Sequence, residues 1–525
     1  MARIVTATAG LALLLACTCP ARAENVLRWA FSTGAVTFDP HSAQHGPSLM
    51  QQGQVYERLL STSSRLEVVP QLAVTWRPVD PVTWEFELRQ GVRFHDGALF
   101  TAEDVLFSLE RARAEHSQYA STFDDISDVR VVDTYTVRFT TRAPDALLPD
   151  RLRRLFIMSK AWAEEHGVTR TADFEAGEEI YATHHANGTG PFILEAFEPR
   201  GPIVMRRNAD WWGYGDYPVN IDRIEFTPIA APEQRLAALF RGEVDLLTAP
   251  PFDALDRIEG TPGWKLVQTT QLRSVWLGVD LASPELRSSN VKGRNPFKDE
   301  RVCRAIYHAM DIETIRDQVM QGLSVPAGMI IPPGVNGHAP EFDQRLPHDP
   351  EAARAFLVEA GYPKGFGVML DCPNNYYVND EAICRAVAEQ LSEIGIVVSV
   401  DAQPEDRHYQ KLDIHESDFW LESYSAPTLD SLEVFALFFG SGGTFNAFGY
   451  ANPRVDKLIE EIGTTSLTYA RDALIEEVWR IVLDDIVFLP LHHQVVVWAM
   501  RENLDMPVSP FNSPVFREAR LKPTG

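Results

Sequence analysis

The stretch 367–400 places a strand, a helix and a second strand in succession, an order that restricts the possible folds severely. Gly367–Asp371 is apolar enough for a strand, and Ile396–Val400 is a β-branched run. Between them, apolar residues recur at helical spacing, at Ile383, Val387, Leu391 and Ile394. We expect Asp380 to cap this helix and Gly395 to end it. This order implies two parallel strands with a right-handed crossover, which predicts an α/β fold for this part of the chain.

Two strands with regular alternation flank a helix nearer the N-terminus. In Thr83–Arg89, and again in Tyr135–Thr140, apolar and polar residues alternate. This pattern is typical of antiparallel strands with one face in water. Thr101 and Asp104 have the spacing of a capping box at the start of the intervening helix. These elements predict a small α+β unit over Gln71–His184.

Turn and capping residues predict further elements on both sides of that unit. The expected strands are Val26–Ala30, Phe192–Phe197, Ile203–Arg207, Val244–Leu247 and Val495–Met500. The expected helices are Pro232–Phe240, Asp299–Met320, Tyr469–Leu483 and two that start at Pro350 and Pro453. We expect Phe192–Phe197 and Ile203–Arg207 to form a hairpin, and Val495–Met500 to cross back toward the first part of the chain.

Length and charge exclude several classes of protein. A chain of 525 residues is too long for one core and suggests two to four folding units. Its formal net charge of −25 argues against a nucleic-acid partner, because phosphate binding depends on basic surface. The same charge argues against a polybasic membrane-binding surface.

The N-terminal segment, residues 1–23, is interpreted as a signal peptide. Arg3 gives it a positive start, Ile4–Ala16 is apolar, and Ala21-Arg22-Ala23 is a small-x-small cleavage pattern. The apolar run is too short for a transmembrane helix. Cleavage before Cys17, which would give a lipoprotein, is the less favoured alternative because Leu15 fits that pattern poorly. Either cleavage exports the chain, and we expect a periplasmic protein.

Three cysteines remain after cleavage at Ala23. Cys372 and Cys384 are the pair that sequence proximity favours for a disulfide, with Cys303 buried on a helix. The alternative is that all three are reduced core thiols. No CxxC motif is present, so we expect no cysteine-based metal or redox site.

Motifs for catalysis or cofactors are absent from the sequence. It has no GxSxG, HExxH or Walker A motif and no full GxGxxG. His184-His185 and His492-His493 are adjacent pairs, and neighbouring side chains on a strand point to opposite faces. We therefore predict no catalytic residue, no metal site and no cofactor.

The stretch Asp418–Asp430, followed by Gly440–Tyr450, has the composition of a strand end that faces a cavity. Asp418–Leu421 is apolar enough for a buried strand, and polar, Ala and Pro residues follow it. The alternative is a core strand followed by a surface loop. The residues of these stretches that we predict to contact a ligand are Ser423, Tyr424, Ser425, Asp430 and Asn446.

Several stretches together resemble the extracellular solute-binding proteins of family 5, the peptide- and nickel-type receptors of ABC importers. They are Gly91–Gly97 with Thr101–Val105, Gly188–Phe192 with Arg207–Trp212, Arg241–Asp245, Asn295–Val302 and Tyr450–Asp456. They resemble the family patterns GVxFHDGxxxTAEDV, GTGPY with RNPDYW, xGEVD, NPPFxDxRV and YxNPxVD. Each motif alone is weak, but their order and spacing match over nearly the whole mature chain.

The resemblance implies a two-lobed α/β periplasmic-binding-protein fold of the class II type, with an additional α+β domain inserted in the first lobe. The expected first lobe is 24–70, 185–266 and 494–525, the insert 71–184 and the second lobe 267–493. The implied function is the substrate-binding component of an ABC importer. It encloses a small polar solute, a peptide or peptide-like molecule, and delivers it to an inner-membrane permease. We expect a monomer without enzymatic activity.

The chain departs from the family at the position that binds an amino terminus. In dipeptide and oligopeptide members, an Asp of the second lobe holds the amino terminus of the ligand. When Tyr424 is aligned with the family Trp, Pro427 stands where that Asp is expected. Asp430 comes three residues later. We therefore expect Asp430 not to clamp an amine unless the loop bends sharply.

A second departure concerns the Arg that can hold the carboxylate in dipeptide members. The corresponding region, Asn374–Val378, contains no arginine, and its candidate ligand contacts are Asn375, Tyr376 and Tyr377. An unpaired charged terminus is costly to bury. Either the ligand is not a free short peptide, or other groups supply the charges.

Two other functions remain as alternatives. A haem- or metal-chelate receptor on the same fold is suggested by the histidine pairs and by Tyr376-Tyr377. A secreted hydrolase is the least favoured, because no nucleophile–base arrangement is visible.

Overall fold

The computed structural model describes residues 24–63, 66–465 and 468–523. The predicted signal peptide and the alternative cleavage before Cys17 lie outside the described residues. Within the described ranges, no helix is both long and apolar enough to span a membrane.

The described residues form strands and helices along the whole chain. The strands are β1 Val26–Phe31, β2 Leu60–Thr62, β3 Val68–Pro70, β4 Ala73–Asp80, β5 Thr83–Leu88, β6 Ile126–Asp133, β7 Thr136–Thr141, β8 Phe192–Phe197, β9 Ile203–Arg207, β10 Arg223–Pro228, β11 Leu246–Leu247, β12 Trp264–Val279, β13 Ser324–Pro326, β14 Gly367–Pro373, β15 Val397–Gln403, β16 Phe419–Ser425, β17 Phe488–Arg501, β18 Leu504–Asp505 and β19 Arg520–Leu521. The α-helices are α1 Gly46–Val55, α2 Ala102–Ala112, α3 Leu148–Leu152, α4 Lys160–Glu165, α5 Tyr181–His184, α6 Pro232–Phe240, α7 Leu255–Glu259, α8 Glu300–Ala309, α9 Ile312–Thr314, α10 Pro350–Glu359, α11 Asp380–Ser392, α12 Glu405–Asp413, α13 Ser431–Val434, α14 Pro453–Thr464 and α15 Thr468–Asp484.

The largest sheet extends to both sides of the long strands β12 and β17. Its path is β15-β14-β16-β12-β17-β11-β1-β10-β9-β8, and β13 pairs with β17 off this path. The part with β15, β14 and β16 and the part with β11, β1, β10, β9 and β8 are called the two halves of the molecule. The long strands β12 and β17 pair along most of their length and join the two halves. At one end β17 pairs with β11, which confirms the predicted crossing back to the first part of the chain.

The parallel pair predicted from the strand–helix–strand order is confirmed. β14 and β15 are parallel along their whole length, with α11 between them in sequence. Ile383, Val387 and Leu391 of α11 are buried in a core that includes Leu370 of β14. A disulfide links Cys372 to Cys384 and so ties the end of β14 to α11. The favoured cysteine pairing is therefore confirmed, and Cys303 is free and buried.

A separate antiparallel sheet, in the order β4-β5-β7-β6, forms the centre of the predicted α+β unit. Helix α2 packs on it through its own apolar core, which includes Phe86, Val105 and Phe139. The capping box at Thr101 and Asp104 is present. The limits predicted for the two lobes and the insert stay predictions.

Several predicted boundaries differ from the structure; for example, the strand predicted over Val495–Met500 begins at Phe488, and the one predicted over Val244–Leu247 begins at Leu246. Two further differences have a clear physical reason. The helix expected over Asp299–Met320 ends at Ala309, because Met310 is extended and Asp311 caps a new short helix by accepting the Thr314 amide at 3.1 Å. The strand expected to end near Leu421 continues to Ser425, since its antiparallel pairing with β12 extends that far.

Candidate solute-binding site

The end of β16 presents polar side chains beside β12. Arg273 on β12 lies opposite Ser425 in the antiparallel register, and its Nη1 donates to Ser423 Oγ at 2.7 Å. Arg273 is half-buried and forms no ion pair with the other described residues. Sequence reasoning missed this arginine, because it belongs to a strand about 150 residues away from Ser423 with no motif of its own.

The tyrosines predicted after β14 lie next to Arg273. Their backbone amides both donate to the Asp380 carboxylate, at 3.0 Å for Tyr376 and 3.1 Å for Tyr377, which fixes the turn that leads into α11. The Arg273 guanidinium carbon lies 5.0 Å from the ring centroid of Tyr376 and 5.7 Å from that of Tyr377. These distances allow cation–π attraction. The fold thus brings three predicted site residues, Tyr376, Tyr377 and Ser423, together around one positive charge.

A buried carboxyl group completes this cluster. Glu422 Oε1 accepts hydrogen bonds from Tyr409 Oη at 3.1 Å, from Tyr377 Oη at 3.5 Å and from the Ser423 amide at 2.9 Å. Burial raises the pKa of Glu422 to about 7, against the lowering effect of these donors and of Arg273. Arg273, Tyr376, Tyr377, Tyr409, Glu422 and Ser423 are called the β16 cluster below.

The other residues predicted near this site occupy different environments. Asn375 is exposed, and its Oδ1 accepts the Glu405 amide at 2.9 Å at the start of α12. Tyr424 points away from Ser423, as strand alternation requires, and its ring packs 5.2 Å from that of Phe438. Ser425 is half-buried at the strand end.

Two predicted contacts are engaged in holding loops. Asp430 forms a two-point ion pair with Arg471, at 2.6 and 2.7 Å, and caps α13 through the Leu432 amide at 2.8 Å. Asn446 donates to the carbonyl oxygens of Gly440 and Tyr450 and accepts the Tyr450 amide. Both side chains are buried and have hydrogen-bond partners within the protein, and their predicted contact with a ligand stays a prediction. The expectation that Asp430 is not a free amine clamp agrees with its pairing to Arg471.

A cavity of about 360 Å³ opens next to the loop that follows β16. Its walls come from helix α1, from the segments around β2 and α3, from the C-terminal segment 507–518 and from Pro427. The charged side chains among the described lining residues are Arg58, Arg153, Arg154, Arg517 and Glu518. Arg153 Nη2 donates to the carbonyl oxygens of Pro427, at 3.3 Å, and Thr428, at 3.0 Å, across the two halves.

The described residues include one group of side chains that could hold a metal ion. His338, Asp343 and His493 offer ligand atoms that all lie within 4.8 Å of one another. The Asp343 carboxylate already accepts the amides of Gly328 and Met329 and the ring of His338. Burial acts to raise the pKa of Asp343, but the two histidines and the amides lower it overall. These contacts, with His493 of β17 3.6 Å away, join two loops to β17, and this structural role explains the position of the carboxylate.

The adjacent histidine pairs do not converge on the cavity. His184 is paired with Glu179, and His185 stacks on Tyr181 with ring centroids 3.8 Å apart. His492 and His493 are fully buried in β17. None of these four side chains lines the cavity.

The sequence matches the family of bacterial extracellular solute-binding proteins, family 5, over residues 67–446. This range covers more than half of the chain. The chain belongs to this family. The resemblance drawn from the motifs is confirmed.

Curated relatives align over almost the full length. The glutathione-binding protein GsiB of Shigella flexneri is 24% identical over 507 residues, covering 94% of each chain. GsiB of Salmonella typhi is 26% identical over 519 residues, covering 96% of each. These relatives are solute-binding proteins.

Solved structures share the fold. HbpA2 from Haemophilus parasuis superposes with a TM-score of 0.81 at 22% identity, covering 95% of this chain and 100% of that one. The nickel ABC transporter protein from Bacillus halodurans gives 0.79 at 22% identity, with 94% and 100% covered. The unliganded open form of the periplasmic murein tripeptide-binding protein MppA gives 0.78 at 19% identity, with 95% and 98% covered. The two-lobed α/β fold expected for the chain is confirmed.

Proposed function

We propose that this protein is the periplasmic receptor of an ABC importer, which encloses a small peptide-like solute between its lobes and delivers it to an inner-membrane permease. The observation that carries this proposal is the cavity of about 360 Å³, which is lined by the proposed first lobe and insert and by Pro427 of the proposed second lobe. Ligand sites for small molecules have volumes of this order. Family membership and the names of relatives that bind glutathione or a murein tripeptide support a peptide-like solute.

The proposed lobes are those expected from the sequence: 24–70, 185–266 and 494–525 for the first, 71–184 for the insert and 267–493 for the second. β12 and β17 would act as the hinge, because both strands run between the halves of the main sheet. We propose that the chain is exported, cleaved after Ala23 and active as a monomer, without a catalytic role or a nucleic-acid partner.

In the β16 cluster, Arg273 is proposed to supply the positive charge that the region 374–378 lacks. Its guanidinium is held by Ser423 and by the two tyrosine rings, and no carboxylate of the described residues forms an ion pair with it. Arginine binds carboxylates in a planar, two-point geometry. A solute carboxylate is therefore the expected partner of Arg273, while Tyr376, which is 40% exposed, offers an aromatic face. Asn375, Tyr377, Ser423, Tyr424 and Ser425 are proposed as the surrounding contacts.

Neither the histidine pairs nor the β16 cluster lines the cavity. The metal-chelate alternative has less support because His184 and His185 already contact Glu179 and Tyr181, and His492 and His493 are fully buried. The proposal is tested by purifying the mature protein from a periplasmic extract, denaturing it, and identifying released small molecules by mass spectrometry. We expect a peptide-like solute in about one-to-one amount. A released haem or metal chelate would replace the proposal with the alternative. If nothing is released and no peptide of a di- and tripeptide panel raises the unfolding temperature, the proposed function is wrong.

Arg273→Gln provides a matched test of the site. We expect it to weaken solute binding by roughly tenfold or more, because a hydrogen bond to a charged group is worth about 1.5–3 kcal/mol. The control is Arg385→Gln, which removes an exposed arginine paired with Glu381 on α11. Equal affinities of the two variants would exclude Arg273 from the site.

A further inference from the structure

The cavity is positively charged in a protein that is otherwise strongly acidic. Four arginines and one carboxylate, that of Glu518, line it among the described residues. The whole chain has a formal net charge of −25. Charge concentrated in a cleft of opposite sign to the surrounding surface focuses the field on that cleft. The arrangement therefore favours an anion inside the cavity over a neutral or cationic solute.

Three of these arginines, Arg58, Arg154 and Arg517, form no ion pair with a carboxylate of the described residues. They are called the cavity arginines. Arg153 differs, because it is paired with Asp150 at 3.1 Å. Other described arginines, such as Arg235 and Arg345, also form no ion pair, so it is the convergence of three unpaired arginines on one cavity that distinguishes this group.

Among the described residues, the contacts of Arg58 and Arg154 include no carboxylate, whereas Arg517 interacts electrostatically with Glu57 and Glu518. Arg58 lies over the ring of Phe156, 3.9 Å from its centroid, and Arg154 donates to Gln44 Oε1. Arg517 donates to Ser61 Oγ at 2.7 Å. A neutral oxygen or a ring stabilises a guanidinium less than a carboxylate does.

Several donor groups at the cavity also lack a hydrogen-bond partner among the described residues. The Nε atoms of Arg58 and Arg517 and the hydroxyl of Tyr119 are buried, and none has a hydrogen-bond partner among the described residues. Buried donors are normally satisfied, so such a group calls for an explanation. Burial, together with the charges of Arg517, Arg153 and Arg154, lowers the pKa of Arg58 to about 10, which still leaves it charged at neutral pH.

We infer that the solute is a peptide-like anion with at least two carboxylates, which the cavity arginines bind. This inference rests on the proposed function. It accounts for the mutual proximity of three unpaired arginines, since a bound dianion together with Glu518 would balance their three charges. It also accounts for Pro427 in place of an amine-binding Asp, because a carboxylate there would repel such a solute.

Binding of three matched tripeptides by the ligand-stripped, refolded mature protein tests the inference. Glu-Ala-Glu, Gln-Ala-Gln and Lys-Ala-Lys have similar backbones and differ in charge. By isothermal titration calorimetry we expect Glu-Ala-Glu to bind roughly tenfold or more tightly than Gln-Ala-Gln, and Lys-Ala-Lys to bind weakest. Affinity for Glu-Ala-Glu should fall as salt is added. Equal or tighter binding of the neutral or cationic peptide overturns the inference and leaves the proposed function standing.

Other outcomes are also decisive. Inorganic phosphate is added as a competitor. If it displaces Glu-Ala-Glu at similar concentration, the cavity is an oxyanion site without preference for peptides, and the inference is wrong.

If none of the peptides binds, the formal charge of the co-purifying solute decides the inference. An anion with two carboxylates supports it, and a neutral or cationic solute overturns it. The absence of both binding and a co-purifying solute overturns the proposed function itself, and the inference falls with it.

Arginine variants separate ligand binding from a structural role. We expect Arg58→Gln and Arg154→Gln each to weaken Glu-Ala-Glu binding by roughly tenfold, with little change for Gln-Ala-Gln. Without peptide, each variant should unfold at the same or a higher temperature than the parent, because one repulsive charge is removed. Arg385→Gln is the control and should change neither quantity. A lower unfolding temperature with unchanged preference for Glu-Ala-Glu would show that these arginines are structural.

Discussion

At the scale of single residues, the buried Glu422 couples folding to pH. Its pKa is raised by burial to about 7 in the folded protein, from the ordinary value of 4.5. Between these values the folded state holds a proton that the unfolded state has lost, so stability falls as pH rises. From about pH 5 to about pH 8, the free energy of unfolding should fall less in Glu422→Gln than in the parent. The two falls should differ by about 3 kcal/mol at most. Urea unfolding at both pH values measures this difference.

The glutamine retains an oxygen that can accept hydrogen bonds from Tyr409 and Tyr377, so the variant isolates the effect of the charge. Glu416→Gln is the matched control, since Glu416 is exposed and paired with Arg287. If Glu422→Gln and the parent lose the same stability over this pH range, Glu422 does not titrate as the structure indicates.

Residues of the site were predictable where the local pattern or the family resemblance marked them. Tyr376, Tyr377 and Ser423 were proposed from their own stretches, and the fold brings them together. Arg273 and the cavity arginines could not be found in this way, because β12, β2, α3 and the C-terminal segment meet only in the folded chain. Asp430 is predicted only from its position after β16, and nothing in its local sequence reveals Arg471 as its partner.

At the scale of elements, the local signals were sufficient for most boundaries. The capping box before α2 and the Asn452-Pro453 start of α14 depend on neighbouring residues only, and both are present. The extension of β16 to Ser425 depends on pairing with β12, which the sequence of β16 does not contain. The break after Ala309 was missed because the apolar spacing continues through Met310, while the Asp311 cap restarts the helix.

The disulfide between β14 and α11 is the element-scale feature whose removal is easiest to measure. It closes a loop with a sequence separation of 12 residues. A loop of that size restricts the unfolded chain by about 3 kcal/mol in the chain-entropy model. We expect reduction with dithiothreitol to lower the unfolding temperature, and the double variant Cys372→Ala/Cys384→Ala to be less stable by about 2–4 kcal/mol.

The double variant also serves as the control, because its unfolding temperature should not respond to dithiothreitol. Cys303 is buried and free in both proteins, so it contributes equally to each measurement. A parent protein whose unfolding is unaffected by the reductant would contradict a stabilising role for the disulfide.

At the scale of the whole molecule, Arg153 holds the two halves together beside the cavity. It is paired with Asp150, and its Nη2 reaches the carbonyl oxygens of Pro427 and Thr428 across the interface. The same guanidinium donates to Thr62 Oγ1 at 2.7 Å, so it is fixed on its own side. Opening of the lobes must break the bonds to Pro427 and Thr428. Arg153 therefore favours, even without a solute, the arrangement of the halves in which these bonds are made.

We expect Arg153→Gln to populate more open forms. A compact chain of this length has a radius of gyration of about 24 Å, and small-angle X-ray scattering of the ligand-stripped variant should give a value larger by on the order of 1 Å. The control is Arg151→Gln, since Arg151 forms its ion pairs with Asp145 and Asp125 on its own side of the cavity. The control should scatter like the parent. If Arg153→Gln also scatters like the parent, contacts other than the bonds to Pro427 and Thr428 determine how far the lobes close.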